Sequence, residues 1–183
     1  MIIWINGAFG AGKTTLTERL LSAIPHAMTF DPEYVGFILT RWVPAADSGD
    51  FQDLPVWRRL VGDFAIGLCQ EYRRPLIVPM TLVNGEIRDD IFDRIRASGE
   101  DLLHVWLDVS ASELRRRIEE QVLITDDAAA DQEARQFRLA AVDRCSAAAK
   151  QLPPETIVLD AEHQSAAALA DALLTRLALP PVS

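Results

Sequence analysis

Short apolar runs alternate along the chain with stretches whose apolar residues recur every three or four positions. The runs Ile2–Ile5, Ala27–Phe30, Pro75–Met80, Leu102–Val109 and Thr156–Leu159 read as strands. The intervening stretches Lys13–Ala23, Glu33–Trp42, Val56–Arg73, Glu86–Ala97, Ala111–Leu123, Glu133–Gln151 and Ser165–Leu177 read as helices. Strands that alternate with helices predict an α/β fold with a parallel sheet. Ile2–Ile5 is apolar at every position, so it is expected to be buried on both faces. Pro25 and Ser98-Gly99 stop the helices before them, and Pro180-Pro181 prevents extension of the last one. Two polar stretches read as loops: Pro44–Leu54, and the acidic, Ala-rich Asp126–Asp131. The 183 residues suit one domain.

The turn after the first strand carries the clearest chemistry. Gly7-Ala8-Phe9-Gly10-Ala11-Gly12-Lys13-Thr14 fits G-x-x-x-x-G-K-[ST] without a gap. It leaves an apolar strand and opens a helix, the context that gives this motif its meaning. Glycines let the backbone wrap a phosphate, and the helix N-terminus adds partial positive charge. Lys13 is expected to reach the β- and γ-phosphates of a nucleotide, and the Thr14 hydroxyl to ligate Mg²⁺. The cofactor-binding segment thus runs from Gly7 to Thr15.

Ligands of open parallel sheets sit at the carboxyl ends of the strands. Asp31 ends the second strand there and is the candidate for taking a proton from an acceptor hydroxyl, with Glu33 a weaker alternative. Asp31 before Pro32 also reads as an ordinary helix start. The third strand ends in Met80-Thr81 with no acidic residue, so a Walker-B aspartate of the usual kind is missing. Asp31 is expected to help position Mg²⁺, and Thr81 to offer a hydroxyl.

Phosphoryl transfer needs cations on the equatorial oxygens. Arg115, Arg116 and Arg117 follow one another on one helix, so they cannot all face a cleft. Pairing as Glu113–Arg117, Arg115–Glu119 and Arg116–Glu120 explains them equally well. Arg117 is the candidate lid arginine and Arg144, on the next helix, the second. Arg41 and Arg58 flank the polar loop and are candidates for holding the acceptor. Most of Phe37, Trp42, Phe51, Trp57 and Phe64 read as core, with one or two available to stack on a planar ring.

Composition narrows the class. The formal charge of −9 argues against nucleic acid as partner, since phosphate backbones call for a basic footprint. Sixteen of the 18 basic residues are arginine, and Lys13 and Lys150 are the only lysines. Cys69 and Cys145 form no CxxC pair, which excludes zinc and iron–sulfur readings and suits a reduced, cytoplasmic setting. His26, His104 and His163 lack ligand spacing and receive no catalytic role. The start of the chain reads as no targeting leader, and no apolar run is long enough to span a bilayer.

Several blocks resemble the bacterial ATP-binding tunicamycin-resistance proteins: Met1-Ile-Ile-Trp-Ile-Asn-Gly-Ala-Phe-Gly10, Phe30-Asp-Pro-Glu33, Val35-Gly-Phe37, Trp42-Val-Pro44, Phe51-Gln52, Val56-Trp-Arg58, Leu76-Ile-Val-Pro-Met-Thr81 and Asp143-Arg-Cys145. They span most of the chain, up to about residue 149. The resemblance implies a P-loop fold of nucleoside-monophosphate-kinase type. Its five-stranded parallel sheet would have the order 2-3-1-4-5, with an acceptor-binding insertion at about 32–73 and a helical lid at about 115–140. It also implies Asp31 as base and Arg117 or Arg144 in the lid. Where a second lid arginine could follow Arg117, this chain has Glu120 and Gln121. The leading expectation is a Mg²⁺/ATP-dependent phosphotransferase acting on tunicamycin or a related nucleoside compound, thereby conferring resistance. A metabolite kinase for a nucleoside or sugar acid is the second expectation. A nucleotide-gated protein that sequesters the drug without chemistry is the third.

Overall fold

The computed structural model describes residues 1–122 and 124–177; residue 123 and Pro180-Pro181 lie outside the described residues. Five strands form the sheet: β1 (Ile2–Gly7), β2 (Met28–Thr29), β3 (Leu76–Met80), β4 (Leu102–Asp108) and β5 (Ile157–Asp160). Among the described residues seven α-helices connect or flank them: α1 (Lys13–Ala23), α2 (Glu33–Leu39), α3 (Pro55–Tyr72), α4 (Gly85–Ala97), α5 (Ala111–Glu120), α6 (Ala128–Ala148) and α7 (Ala166–Arg176). The strands are all parallel, in the order β2-β3-β1-β4-β5.

Central β1 explains its own sequence. Ile2–Asn6 pairs with Leu76–Met80 on one side, and Ile2–Gly7 with Leu102–Leu107 on the other. Side chains alternate across a strand, so Ile2 and Trp4 enter one core while Ile3 and Ile5 enter the other. The first core packs against α3 and α4 through Trp57, Val61, Ile91 and Phe92. The second packs against α1, α6 and α7 through Leu16, Leu20, Val142 and Leu173. All of β1 is buried, as its unbroken apolar run predicts.

Several predicted bounds differ: β2 shortens to Met28–Thr29 and α5 ends at Glu120. Helix α2 ends at Leu39, three residues short of the predicted Trp42, which is 80% exposed. The acidic stretch predicted as a loop, Asp126–Asp131, is helical from residue 128. The Asp127 carboxylate caps that helix by accepting from the Ala129 and Ala130 amides, both at 3.0 Å. An aspartate before alanines is a helix start, since Asp caps and Ala propagates.

A polar network in the sheet fixes the site end of β1. Buried Asn6 accepts from the Gly7 and Leu82 amides at 2.8 and 2.9 Å. Its Nδ2 donates to the Leu82 carbonyl at 2.7 Å and reaches His104 Nε2 at 3.3 Å. The amide orientation makes His104 Nε2 the acceptor, so Nδ1–H donates to Thr156 Oγ1 at 2.9 Å. His104 is 2% exposed, and burial holds its pKa down at about 4. In the unfolded chain this ring takes up its proton first as pH falls. Its contribution is therefore complete above about pH 6.5 and is lost toward pH 4, amounting to about 3 kcal/mol. A smaller drop in urea midpoint between pH 7 and pH 4.5 in His104→Gln than in the parent chain is the expected result.

Candidate active site

The turn from β1 into α1 occupies left-handed backbone at Gly10 (φ 80°) and Gly12 (φ 99°), a conformation that side chains with a Cβ rarely adopt. Gly12 is the N-cap of α1, and no side chain caps that helix. Its first amides are therefore presented to the cleft, with the helix dipole behind them. Lys13 Nζ lies folded against the loop. It donates to the Gly7 and Ala8 carbonyls at 3.0 and 2.9 Å and to Thr81 Oγ1 at 2.7 Å. Thr81 in turn donates to the Gly7 carbonyl at 3.0 Å. The hydroxyl at the end of β3 is thus a direct partner of the loop lysine. Burial lowers the Lys13 pKa to about 8, which leaves it cationic at neutral pH.

Two concavities meet over the carboxyl ends of the strands. A cleft of about 590 Å³ is lined by Gly10, Gly12, Lys13, Thr14, Thr15, Asp31 and Arg117 among others. A cavity of about 790 Å³ lies beside it, with Phe37, Phe51, Gln52, Thr81, Phe137 and Arg144 in its wall. Both fall in the size range of small-molecule sites. Phe9, Glu33, Met80 and Arg138 line both, so these four residues form the partition.

The residues singled out in the sequence therefore separate. Lys13, Thr14, Thr15, Asp31 and Arg117 share the smaller cleft; Thr81 and Arg144 face the larger cavity; Arg41 and Arg58 line neither. Arg41 is exposed beyond the end of α2. Arg58 turns back on the polar loop, where Nε donates to the Gln52 carbonyl at 3.1 Å. Gln52 Nε2 donates to the Thr81 carbonyl at 3.1 Å and ties that loop to β3. Asp31 Oδ1 accepts from the Glu33 amide at 2.9 Å, and buried Trp57 donates to the intervening Pro32 carbonyl at 3.2 Å. The turn that presents both carboxylates is thereby fixed from α3.

On α5, Arg117 donates to Glu113 at 2.7 Å and to the Ala161 carbonyl at 3.0 Å, which bridges the helix to the segment after β5. Arg116 pairs with Glu113 and Glu120, whereas Arg115 reaches Asp143 on α6 at 2.6 Å rather than Glu119. Sequence reasoning passed over Arg138. Its guanidinium lies 5.5 Å from the Phe9 ring centroid, as does Lys13 Nζ, and its Nη1 donates to Gln121 Oε1 at 3.2 Å. Phe9 also meets Phe137 edge-on at 5.8 Å. The signal was helical spacing: Arg138 lies three, four and seven residues before buried Ala141, Val142 and Cys145, on their face of α6. Arg144 is on the exposed side. Glu33, the weaker alternative to Asp31 in the sequence, stands out by its environment. Desolvation, then the nearby Asp31 charge, raise its pKa above the usual carboxylate value.

The profile of the AAA domain family matches residues 2–152. The chain belongs to the AAA domain family. No curated protein matches the sequence significantly. Among solved structures, the tunicamycin resistance protein of Deinococcus radiodurans is similar at 22% identity and a TM-score of 0.71, over 100% of this chain and 98% of that one. A sugar kinase from Janibacter is similar at 18% identity and a TM-score of 0.65, over 98% and 95% of the two chains. The Mycobacterium tuberculosis APS kinase, solved with AMPPNP and APS, is similar at 16% identity and a TM-score of 0.62, over 97% and 96%. At these identities the likeness is one of fold. This AAA-family chain has the P-loop kinase fold, with the strand order that the sequence resemblance implies. Among the described residues no helix is long and apolar enough to cross a membrane.

Proposed function

We propose that this chain is a Mg²⁺/ATP-dependent phosphotransferase that acts in the cytoplasm on the hydroxyl of a small molecule. One observation carries the reading: a phosphate-loop cleft holding Lys13, Thr14 and Asp31 opens across a four-residue partition into an aromatic cavity of about 790 Å³. A donor phosphate in the cleft and an acceptor in the cavity would meet at that partition, which supplies the proximity that transfer requires.

In this reading the loop amides and Lys13 hold the phosphates of ATP. Lys13 leaves its contact with Thr81 to reach them. Thr14 and, through water, Asp31 would hold Mg²⁺, which neutralises phosphate charge when bound. One hydroxyl and one carboxylate suit that ion, because Mg²⁺ ordinarily keeps several waters and takes its remaining ligands from phosphates. Asp31 receives the proton of the acceptor hydroxyl, with Glu33 beside it. The arginines of α5 and α6 stabilise the transferring group: Arg117, Arg144 and the partition residue Arg138. The segment at about 32–73 binds the acceptor, and that at about 115–140 closes over the site as a lid within one domain.

Tunicamycin or a related nucleoside compound is the acceptor favoured by the sequence resemblance and by the Deinococcus neighbour. A metabolite kinase for a nucleoside or sugar acid is the alternative enzyme. Sequestration without chemistry gains support from one feature, the hydroxyl of Thr81 standing where an acid usually ends the third strand and holding Lys13. Incubation with Mg²⁺-ATP and a panel of tunicamycin, nucleosides and sugar acids, followed by mass spectrometry, separates these readings. One phosphoryl group gained by tunicamycin supports the leading one. Saturable drug binding with no phosphorylated product overturns it in favour of sequestration.

A further inference from the structure

We infer that the acceptor site of this chain accommodates a hydroxyl compound that bears no anionic group; the inference rests on the phosphotransferase reading above. The segment Asp50–Asp53 lines the larger cavity and not the phosphate-loop cleft, and Gln52 ties it to the Thr81 carbonyl at 3.1 Å. Asp50 and Asp53 both line the cavity, and exposed Glu133 faces it from α6. Among the described residues no guanidinium from the Asp50–Asp53 side lines the cavity. Arg58 is the cation nearest to that segment in sequence, yet it sits behind it. Nε donates to the Gln52 carbonyl, Nη2 donates to the Asp53 carbonyl at 3.4 Å, and the Asp53 carboxylate is 3.9 Å away. Its charge thus serves the loop backbone and the Asp53 carboxylate, and it does not line the cavity.

The two cations that do line the cavity, Arg138 and Arg144, both come from α6. Arg138 belongs to the partition, over the Phe9 ring and opposite Glu33. It is placed for the phosphate end. A carboxylate or phosphate on the acceptor calls for forked guanidinium or ammonium donors at short range. Against this wall of the cavity it would instead meet Asp50 and Asp53, with Glu133 on α6, in a chain of net charge −9.

The same wall supplies an apolar surface. Phe37 and Phe51 stand edge to face with ring centroids 6.4 Å apart, and Phe137 faces them from α6. Phe51 packs so closely over Gly36 that a Cβ there would lie 2.6 Å from its ring, which fixes the ring's position. A planar or apolar portion of the acceptor fits against these rings. Hydroxyl or amino groups face the carboxylates, which accept hydrogen bonds from them.

The test uses matched pairs that differ by one anionic group: uridine against uridine 5′-monophosphate, and glucitol against gluconate. Dissociation constants are measured by calorimetry with a saturating non-hydrolysable ATP analogue, so that binding is read independently of transfer. The uncharged member of a pair is expected to bind at least tenfold more tightly. Glu133→Lys, an exposed charge reversal, is expected to narrow that preference threefold or more. Equal or tighter binding of the anionic members overturns the inference, and so does binding by no uncharged member. Correct charge preference with no phosphoryl transfer from ATP leaves the inference standing and removes the phosphotransferase reading.

Discussion

Replacing Lys13 with alanine is expected to lower phosphoryl transfer by about 10³-fold, the upper end for loss of one preorganised charge stabiliser. Nucleotide affinity is expected to fall with it, because the same ammonium meets the phosphates before and during transfer. The fold is expected to persist. Lys13 donates to Gly7, Ala8 and Thr81, but Thr81 independently donates to the Gly7 carbonyl and keeps β3 tied to the loop. Desolvation of the lysine also works against the native state. With a folded pKa of about 8 against an ordinary 10.5, the unfolded chain holds the proton more tightly in that interval. The destabilisation is complete below about pH 8 and is relieved as pH rises toward 10.5. Alanine removes it, so the melting temperature at pH 7 should change little while turnover collapses. Initial rates, nucleotide titration and thermal melts on one preparation check all three. Unchanged turnover in this variant would refute the phosphate-loop mechanism.

The features legible in the sequence are those with local causes. The unbroken apolar run of β1 announced a strand covered on both faces, and the glycines and lysine after it announced the loop geometry. Asp31 before Pro32 was readable both as a helix start and as a cleft residue, and the geometry contains both. Its oxygen accepts from the Glu33 amide while its side chain lines the smaller cleft. Most of what escaped depends on tertiary packing. Arg58 looked free because nothing in the sequence says that its loop would fold back over it. Helical spacing puts Arg138 on the buried face of α6, but its partner in space, the Phe9 ring, is not readable from that spacing. The polar stretch at 126–131 was misread for a local reason, because its acidity hid a capping aspartate followed by alanines. The order of β2 and β3 in the sheet came from family resemblance, not from pattern, because periodicity carries no information about which strands are neighbours.

Asp31→Asn and Glu33→Gln are expected to act differently, and the difference identifies the proton acceptor. Asp31→Asn is expected to reduce transfer by about 10²–10⁴-fold, the usual contribution of a general base. It should leave nucleotide binding nearly intact, since the phosphates are held by Lys13 and the loop amides. The asparagine oxygen can still accept from the Glu33 amide, so the start of α2 survives. Glu33→Gln is expected to cost about tenfold, since Glu33 acts beside the proton acceptor and not as the acceptor itself; the size follows from loss of one nearby charge of modest screened strength. The pH profile separates the roles more sharply than the rates. Burial and the Asp31 charge raise the Glu33 pKa, so this carboxyl takes up a proton earlier than an ordinary glutamate as pH falls. If its ionised form assists transfer, the acid limb of kcat/KM lies above the ordinary carboxylate range in the parent chain. That limb should move to lower pH in Glu33→Gln. Abolished turnover in Glu33→Gln together with near-normal turnover in Asp31→Asn would transfer the base role to Glu33. The partition geometry would then be the reason: Glu33 lines both concavities, whereas Asp31 lines only the cleft of the phosphate loop.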